Sequence, residues 1–310
     1  QLPATLQELW ADRVSALLTN RAEDEVRALE LAAVLGEPVD EEAWQASCLA
    51  EGITLRPELA TPLLDRGLAR QKRGEGWTFI HWLFREALEQ HALAHGRLQQ
   101  HHRACADVLT DHHVPGSALR IAHHMIAAGD DEAALAPLLT AARRFTQTGD
   151  HQQGGEILAI RRAALDRLGR PPEHPERLES SILASYFAQM TGDLSQAVAL
   201  AMQTAEHAEG ALRTNALLQL ARLRREQGWL DDAAALISQA ESTCTTPILF
   251  AHCHRDRAEV DMMRGDLDAA EAGYTTALAG YLQCSAESDL AKAHKGLGRL
   301  KLKQGYFSRA

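Results

Sequence analysis

The stretches that decide the fold are Gly228-Trp-Leu230-Asp-Asp-Ala233 and Gly265-Asp-Leu267-Asp-Ala-Ala270. Each has a glycine, an apolar residue two positions later and an alanine five positions later. The same spacing recurs at Gly192-Asp-Leu194-Ser-Gln-Ala197 and Gly305-Tyr-Phe307-Ser-Arg-Ala310, so that the four glycines are 36, 37 and 40 residues apart. A period of about 20 to 50 residues predicts an array of stacked structural repeats.

Each shared residue has a physical role in a pair of antiparallel helices. A glycine ends the first helix, because a positive φ angle is costly for other residues. Asp193 and Asp266 follow their glycines, where they can accept hydrogen bonds from free amides at the start of the second helix. The apolar residue two positions after the glycine is expected to fill the wedge between the helices. Small residues that permit close helix packing lie seven positions before the glycine and twelve after it: Ala221, Ala258, Gly298, Ala240 and Ala277.

This set resembles the tetratricopeptide repeat, a helix-turn-helix unit that stacks into a right-handed superhelix. The spacings exceed the usual ~34 residues, which predicts longer connections or extended helices. Weaker copies lie at Gly129-Asp130 and Gly149-Asp150, and the adjacent prolines of 168–175 interrupt the helical pattern. We therefore expect degenerate helical hairpins over 111–169, a linker over 170–175 and repeats over 176–310. Because the last copy ends at its alanine, we expect that repeat to be truncated and the chain to belong to a longer protein.

The composition fits a helical protein. Of its 310 residues, 45% are hydrophobic and only 5% aromatic, so the core is built mainly from leucine and alanine, which favours helices over sheets. A net charge of -10 provides no general attraction for nucleic acid. No apolar run reaches the ~20 residues that span a bilayer, and no signal peptide is recognisable. We expect a cytoplasmic protein that does not contact membranes, with its five cysteines reduced.

Residues 1–110 follow a different pattern. Helices are predicted over Val26–Leu35, from the capping residue Asp40 through Ala50, and over Pro57–Arg66. The alternating segment Leu68–His81 surrounds a Gly-Glu-Gly turn and predicts a β-hairpin. Three helices followed by a hairpin are typical of a winged-helix module. The predicted fold class is mainly α, with a winged-helix module and its small hairpin followed by a tetratricopeptide-like α-α superhelical solenoid.

This region is similar to the stretch that follows the nucleotide-binding domain in bacterial STAND ATPases, the signal-transduction ATPases with numerous domains. The similar segments are Leu2–Leu9, Ala28–Gly36, Leu63–Leu68 and Phe79–Leu88. The resemblance implies a regulatory and sensor arm, in which repeats bind a partner and the winged helix packs on an ATPase that uses ATP or ADP and magnesium. Within the family, Ala28–Gly36 and His101–Leu109 are most similar to proteins that carry an N-terminal serine/threonine kinase domain.

The resemblance also assigns a role to His81. It matches the histidine that, in this family, opens the helix after the hairpin and faces the phosphates of ADP in the closed state, although Trp82 replaces the aspartate often found beside it. A histidine that merely begins a helix is the alternative. The chain has no Gly-x-x-x-x-Gly-Lys-Ser/Thr and no kinase motif. We therefore expect no catalysis and no bound cofactor in this chain itself.

The repeats supply a candidate binding surface. In tetratricopeptide repeats the first helix of each pair lines a concave groove, and the resemblance places twelve residues there: Asn215, Leu218, Arg222, Arg225, His252, Arg255, Glu259, Met263, Lys292, Lys295, Arg299 and Lys303. The last four are spaced three, four and four apart and form one stripe on a helix. A mainly basic groove would receive an acidic peptide or a protein's terminal carboxylate. A solvated helix face is the alternative.

Other patterns point to functions that we consider secondary. Nine of the fifteen histidines lie between His81 and His124, but His91 and His95 have no third ligand at a zinc spacing, so we predict no metal site. A basic hairpin would suit DNA phosphates, although the net charge and the resemblance speak against nucleic acid. Its cations are Arg66, Arg70, Lys72 and Arg73. The same architecture also occurs in regulatory regions of serine/threonine kinases and of LuxR-type transcriptional regulators, which stay open as alternatives.

Overall fold

The protein is described by a computed structural model that covers residues 10, 13–19, 21–54, 58–72, 76–112 and 116–305. Its chain divides into two compact units, 1–141 and 142–310. The domain boundaries expected at residues 110 and 170–175 stay predictions. In the described part, no helix is both long and apolar enough to cross a membrane.

The first unit consists of helices and one hairpin. Its elements are α1 (Glu23–Leu35), α2 (Glu41–Ala50), α3 (Thr61–Asp65), β1 (Ala69–Lys72), β2 (Gly76–Phe79), α4 (Trp82–Ala94), α5 (Leu98–Asp111) and α6 (Ala118–Ala127). The helix α7 (Asp131–Thr148) contains the division between the units. Asp40 caps α2 by accepting from the Ala43 amide at 2.8 Å, as predicted. The third predicted helix is shorter than expected, because Pro62 lies in its first turn, where proline favours a helix start.

The hairpin is fixed by backbone and aromatic contacts. Its two strands are antiparallel, with Ala69 opposite Phe79, and Val39 adds a backbone bridge to Trp77. The Trp77 ring is fully buried and contacts the rings of Trp44 and Phe79 at centroid distances of 5.4 and 4.9 Å. Aromatic pairs in such edge-to-face geometry stabilise a core beyond the area they bury. These contacts hold the hairpin against α2.

A buried network of charges joins α1 to the later helices of this unit. Both oxygens of the fully buried Glu30 accept from Arg97, at 2.9 and 2.7 Å, and one of them lies 2.6 Å from His91 Nδ1. Burial by itself would raise the pKa of Glu30. Hydrogen bonds from His101, Arg97 and His91 outweigh burial and lower that pKa to about 2.

His101 lies at the centre of this network. The fully buried ring has Nε2 3.0 Å from Glu30 and Nδ1 2.6 Å from Glu51, whose other oxygen accepts from Arg27 at 3.0 Å. Burial by itself would lower the pKa of His101, but its hydrogen bonds to the two carboxylates raise it. The imidazolium form is therefore the one that the folded protein stabilises.

The second unit is a series of helices joined by short connections. They are α8 (His151–Arg167), α9 (Pro175–Thr191), α10 (Leu194–His207), α11 (Gly210–Glu226), α12 (Leu230–Ser242), α13 (Pro247–Arg264), α14 (Leu267–Gln283) and α15 (Glu287–Lys303). Residues between α8 and α9 are non-helical, as the adjacent prolines predicted.

The glycines are equivalent corners, as predicted. Gly192, Gly228 and Gly265 have φ angles of 90°, 82° and 88° and connect α9 to α10, α11 to α12 and α13 to α14. At each corner the amide after the glycine donates to the carbonyl five residues earlier, at 2.8 to 3.0 Å. This hydrogen bond is typical of a helix end that is followed by a glycine in the left-handed conformation. Gly305 also has a positive φ angle, and the rest of its copy, 306–310, lies outside the described residues.

The predicted capping bonds are present at these corners. Asp193 and Asp266 accept from backbone amides three residues later, at 3.0 and 3.1 Å. Asp130 and Asp150, in the weaker copies, do the same at 3.1 and 3.2 Å. The alanines five residues after the glycines, and those twelve after them, are fully buried: Ala197, Ala233, Ala270, Ala240 and Ala277.

Two assignments within the repeat motif are wrong. Leu194 does not fill a wedge between helices, since 36% of its surface is exposed. Gly298 has open space around its α-carbon, and the close approach in α15 occurs instead at Gly296, which packs against the ring of Tyr274. The longer spacing of 40 residues to the last glycine shifts the contacting residue along the helix.

The first helix of each pair lies on the inner side of the stack. The backbones of α9 and α11, of α11 and α13, and of α13 and α15 approach one another. Within the described residues, α10 and α12, or α12 and α14, show no comparable approach. Helices on the inside of a curved stack are closer together than those on the outside. The predicted fold class, mainly α with one small hairpin followed by tetratricopeptide-like helical hairpins, is confirmed.

Two glycines of α15 give opposite predictions for substitution by alanine. A β-carbon on Gly296 would lie 2.4 Å from the ring of the fully buried Tyr274, so Gly296→Ala should destabilise the protein by about 1–3 kcal/mol. Gly298→Ala, its matched control, meets nothing within 4 Å and should stabilise the helix by about 0.5–1 kcal/mol. Urea unfolding of both variants measures the difference, and equal effects would contradict this packing.

The raised pKa of His101 predicts a pH-dependent stability. The folded state binds this proton more tightly than the unfolded chain, so the extra stability is complete below the ordinary histidine pKa of ~6.5 and is lost as the pH rises through the folded-state pKa. Above about pH 7, where the unfolded chain has lost most of its histidine protons, and below the range of thiol titration, the free energy of unfolding should fall by up to ~1.4 kcal/mol per pH unit until His101 loses its proton in the folded state.

The variant His101→Gln should remove this slope, while the exposed His294→Gln should keep it. Urea titrations at several pH values provide the measurement. A slope that survives in His101→Gln would show that another group carries it.

Candidate functional site

A groove of about 550 Å³ lies on the inner side of the second unit, between α9 and α11. Its floor is apolar and its rim is polar. On α9 the lining residues recur every three or four positions, as do those on α11, so each set occupies one helix face. They are Glu179, Ile182, Leu183 and Tyr186 on α9, Leu212, Asn215, Gln219 and Arg222 on α11, and Arg143 on α7.

Two of the predicted groove residues, Asn215 and Arg222, line this groove. In the part of the chain that the structure describes, the side chains of Asn215 and Tyr186 make no hydrogen bond, so both keep polar groups for a ligand. Arg143 pairs with Glu179 at 2.6 Å on the rim. The arrangement combines an apolar floor with amide and hydroxyl groups, which suits an apolar side chain and an adjacent peptide bond of a ligand.

Beyond the groove, the inner helices are joined by ion pairs. Two nitrogens of Arg222 on α11 donate to one oxygen of Asp256 on α13, at 2.8 and 2.7 Å. One turn later, Arg225 lies 3.1 Å from Glu259. These pairs fix the position of α11 relative to α13.

The ion pairs continue from α13 to α15. Arg255 donates to Asp256 at 3.0 Å and to Asp289 at 3.4 Å. Asp289 also accepts from Lys292 at 3.0 Å, and His252 Nε2 lies 3.5 Å away from it. In addition, Arg299 of α15 donates to Glu259 of α13.

These ion pairs form a ladder across α11, α13 and α15, in which neighbouring charges stabilise the ionised forms of Asp256, Asp289 and Arg255. Asp256 is almost fully buried, which by itself raises a carboxyl pKa, but Arg222 and Arg255 lower the pKa of Asp256 to about 2. The imidazole of His252, 3.5 Å away, and the hydrogen bond from Lys292 likewise hold the pKa of Asp289 well below its usual range. Burial by itself would lower the pKa of Arg255, and its acidic neighbours raise it instead.

The expected row of basic residues is therefore a ladder of ion pairs. Sequence reasoning counted the cations and missed the buried Asp256 and the half-buried Asp289 between them. Asp289 precedes Lys292 by three residues, a helical spacing that could have indicated the pair. Among the described residues, Lys295 is exposed and has no acidic partner, and Lys303 donates only to the Met262 carbonyl, at 3.5 Å. Free positive charge on this face is thus concentrated on α15.

In the first unit, His81 lies at the residue that precedes α4. Its side chain is exposed and makes no capping hydrogen bond, and its ring centroid lies 5.1 Å from that of Trp10. Trp82 beside it is 60% exposed. The role of His81 toward a nucleotide stays a prediction. Arg66, Arg70 and Lys72 are exposed on the hairpin side, and Arg73 lies outside the described residues.

The histidine clusters have partners other than a metal. His91 contacts Glu30, and His95 Nδ1 donates to the His91 carbonyl at 2.8 Å. His102 and His124 face each other with their Nδ1 atoms 2.9 Å apart, and burial lowers their pKa values to about 4 and about 3. Within the described ranges, no three side chains of histidine, cysteine, aspartate or glutamate are grouped to hold a metal ion.

No protein-family model matches the chain, and no curated protein sequence matches it. Among solved structures, a putative kinesin light chain with nearly identical TPR-like repeats from Podospora anserina is similar at 21% identity and a TM-score of 0.39, over 57% of this chain and 97% of that chain. BtubC from P. vanneervenii is similar at 13% identity and a TM-score of 0.47, over 64% of this chain and 87% of that chain.

A STAND protein with a tetratricopeptide repeat sensor from Pyrococcus horikoshii is similar over a longer stretch. The match has 12% identity and a TM-score of 0.40 and covers 90% of this chain and 54% of that chain. At such TM-scores and identities, these similarities assign no family to the chain.

The ion-pair ladder predicts a large effect at Asp256. Asp256→Asn leaves Arg222 and Arg255 without their shared buried partner, so it should destabilise the protein by about 3–5 kcal/mol. The exposed Asp268→Asn on α14 is the matched control and should change the free energy of unfolding by at most ~1 kcal/mol. Urea unfolding at neutral pH makes the comparison. Similar losses in the two variants would contradict a structural role for the ladder.

Proposed function

We propose that this chain is a non-catalytic regulatory and sensor arm of a STAND-type signalling ATPase, and that the inner face of its helical hairpins binds a partner protein through a peptide segment. The observation that carries the proposal is the groove between α9 and α11. It places an apolar floor beside the unused polar groups of Tyr186 and Asn215, and two of the residues predicted from the repeat pattern line it.

The groove suits an apolar residue of a peptide better than an acidic one. Ile182, Leu183 and Leu212 offer apolar contacts to a hydrophobic side chain, and the Asn215 amide can both donate to and accept from a peptide bond. On the rim, Arg143 and Arg222 already pair with Glu179 and Asp256, so they are not free to bind an acidic residue there. We therefore assign the groove to an apolar anchor residue of the ligand.

The acidic part of such a peptide belongs at the other end of the inner face. The inner-face cations Arg222, Arg225 and Arg255 already pair with Asp256, Glu259 and Asp289, so a ligand carboxylate would have to displace one of these acids. Lys295 is exposed and has no such competitor among the residues that the structure describes. An acidic segment that follows the apolar anchor would therefore lie toward α15.

The first unit supplies the means of relay. Its order of three helices and a hairpin, with the Val39 bridge to Trp77, supports a winged-helix module. Beside the hairpin, Ile80, His81 and Trp82 form an exposed surface that can pack on an ATPase domain in one nucleotide state and not in another. A partner shifts such an equilibrium only if it binds the two states with different affinities. ATP or ADP and magnesium would be held by that ATPase domain.

A defined peptide pair tests the binding face. The probe is a fluorescein-labelled peptide with two leucines followed by four aspartates, and its control has asparagines in place of the aspartates. Fluorescence anisotropy with the 310-residue chain should show saturable binding of the probe. Asn215→Ala and Lys295→Glu should each weaken it by about tenfold, and only Lys295→Glu should reduce the preference for aspartates over asparagines.

Arg213→Glu is the matched control, because Arg213 is an exposed cation of α11 that does not line this groove. It should leave binding of the probe unchanged. Equal binding by the wild type, Asn215→Ala and Lys295→Glu, or no saturable binding at all, would overturn the assignment of the inner face to an acidic peptide.

A further inference from the structure

A second and larger groove, of about 770 Å³, lies on the outer side of α9, between α8 and α10. Its floor is formed by Ser181, Ala184 and Ala188 of α9. Leu158 and Arg162 on α8 and Leu200 on α10 line its walls. The inner groove uses other positions of α9, so this helix presents opposite faces to the two sites.

Comparison of the repeats explains why this groove is open. When the corner glycines are aligned, Ala184 corresponds to Leu220 of α11 and to Arg257 of α13. Leu220 is buried in one apolar cluster with Ala201 of α10, and Leu236 of α12 packs against that cluster. The large side chain of Leu220 on α11 therefore fills the space between α10 and α12. The small side chains of α9 leave the equivalent space, between α8 and α10, open.

The third hairpin, formed by α13 and α14, fills the equivalent space beside α12 in another way. Arg257 extends from α13 to α12, where it donates to Ser238 at 2.9 Å and to Glu241 at 3.1 Å. Similarly, Ser181 corresponds to Leu217 and His254. The small residues of α9 are thus a local departure from the repeat, and the groove is their consequence.

The shape of the groove suits a helix. Its lining on α8 extends from His151 to Leu165, which corresponds to ~21 Å along a helix axis. The walls α8 and α10 are each antiparallel to α9, so the trough between them is straight. On its floor, Ala184 and Ala188 have no polar side-chain atoms. An extended peptide would leave amides unpaired there, whereas a helix pairs its own.

The charges of the groove indicate the orientation of such a helix. Arg162 is exposed and, within the described part of the chain, has no acidic partner. Arg177, which also lines this end, is paired with Asp166 at 2.5 Å. The one acidic side chain of the lining, Glu156, lies nearer the opposite end and accepts from Gln152 at 3.3 Å.

We propose that the outer groove binds an amphipathic helix of a partner protein, with its apolar stripe on Ser181, Ala184 and Ala188 and its acidic end beside Arg162. This site is separate from the inner groove of the proposed function. A protein that binds one peptide inside and one helix outside can join two partners through α9.

A synthetic helix tests the outer groove. The probe is a fluorescein-labelled peptide of ~16 residues with leucine and alanine at helical spacing and two glutamates at one end. Anisotropy with the 310-residue chain should show saturable binding. Ala184→Arg introduces the residue that the third hairpin has at this position, and it should weaken binding at least ~10-fold by filling the groove.

A second variant keeps the test valid if Ala184→Arg fails to fold, as judged by circular dichroism. Arg162→Glu is exposed and should weaken binding of the glutamate peptide by about threefold or more, and it should strengthen binding of the same peptide with lysines in place of glutamates. A peptide with a central proline should not bind, because proline interrupts the helix.

Two controls separate this proposal from the one above. Ala163→Arg adds a cation to α8 outside the groove, and Asn215→Ala alters the inner groove, so neither should change binding of the helical probe. Equal binding by Ala184→Arg and Ala163→Arg, equal binding of the proline peptide, or no saturable binding at millimolar peptide would overturn the outer site. None of these outcomes affects the inner-groove test.

Discussion

The second unit depends on the left-handed glycine between the two helices of each hairpin. Gly192, Gly228 and Gly265 place the amide after the glycine in the same hydrogen bond to the preceding helix. The chain therefore reverses in the same way at each corner, and the buried alanines of the second helix meet the first helix at the same positions. A residue with a β-carbon would adopt this backbone only with strain. The inner layer of helices, and with it the proposed binding face, follows from this repeated geometry.

Charge on the inner face is arranged in pairs that join consecutive hairpins. Asp256 joins arginines of α11 and α13, and Asp289 joins residues of α13 and α15. Removing one partner from such a buried set is more damaging than the set is stabilising, because an unpaired charge stays in a poorly solvated place. The ladder therefore holds consecutive hairpins in one arrangement, and the groups that we propose for recognition, Asn215, Tyr186 and Lys295, lie outside it.

The helix α9 differs from its successors in a way that relates the two proposed sites. Its inner face contributes Ile182, Leu183 and Tyr186 to one groove, and its outer face is a row of small residues. The neighbouring α11 and α13 have large side chains at the corresponding outer positions. If each face of α9 held one ligand, a change in the position of α9 caused by one ligand would alter the affinity for the other. This requires that each ligand binds the two positions of α9 with different affinities.

Local chemistry made much of the fold predictable from the sequence. Glycine, aspartate and alanine at a repeated spacing identified the corners, the caps and the buried small residues, because each acts within a few residues of its own position. Asn215 and Arg222, which the resemblance to tetratricopeptide repeats placed on the inner side, share one helix face and line the inner groove. The hairpin of the first unit was predicted from its alternating pattern.

The remainder was decided by contacts between residues distant in sequence. The pairing of Arg222 with Asp256 spans 34 residues, and the buried contact of His101 with Glu30 spans 71; the repeat pattern indicated neither pair. The close approach at Gly296 rather than Gly298 depends on where Tyr274 lies in the adjacent helix. The sequence by itself determined the repeated corners and the helix faces, because these depend on local backbone preference. Only the tertiary structure decided which charges are neutralised and which grooves stay open, because both depend on the side chains that packing brings together.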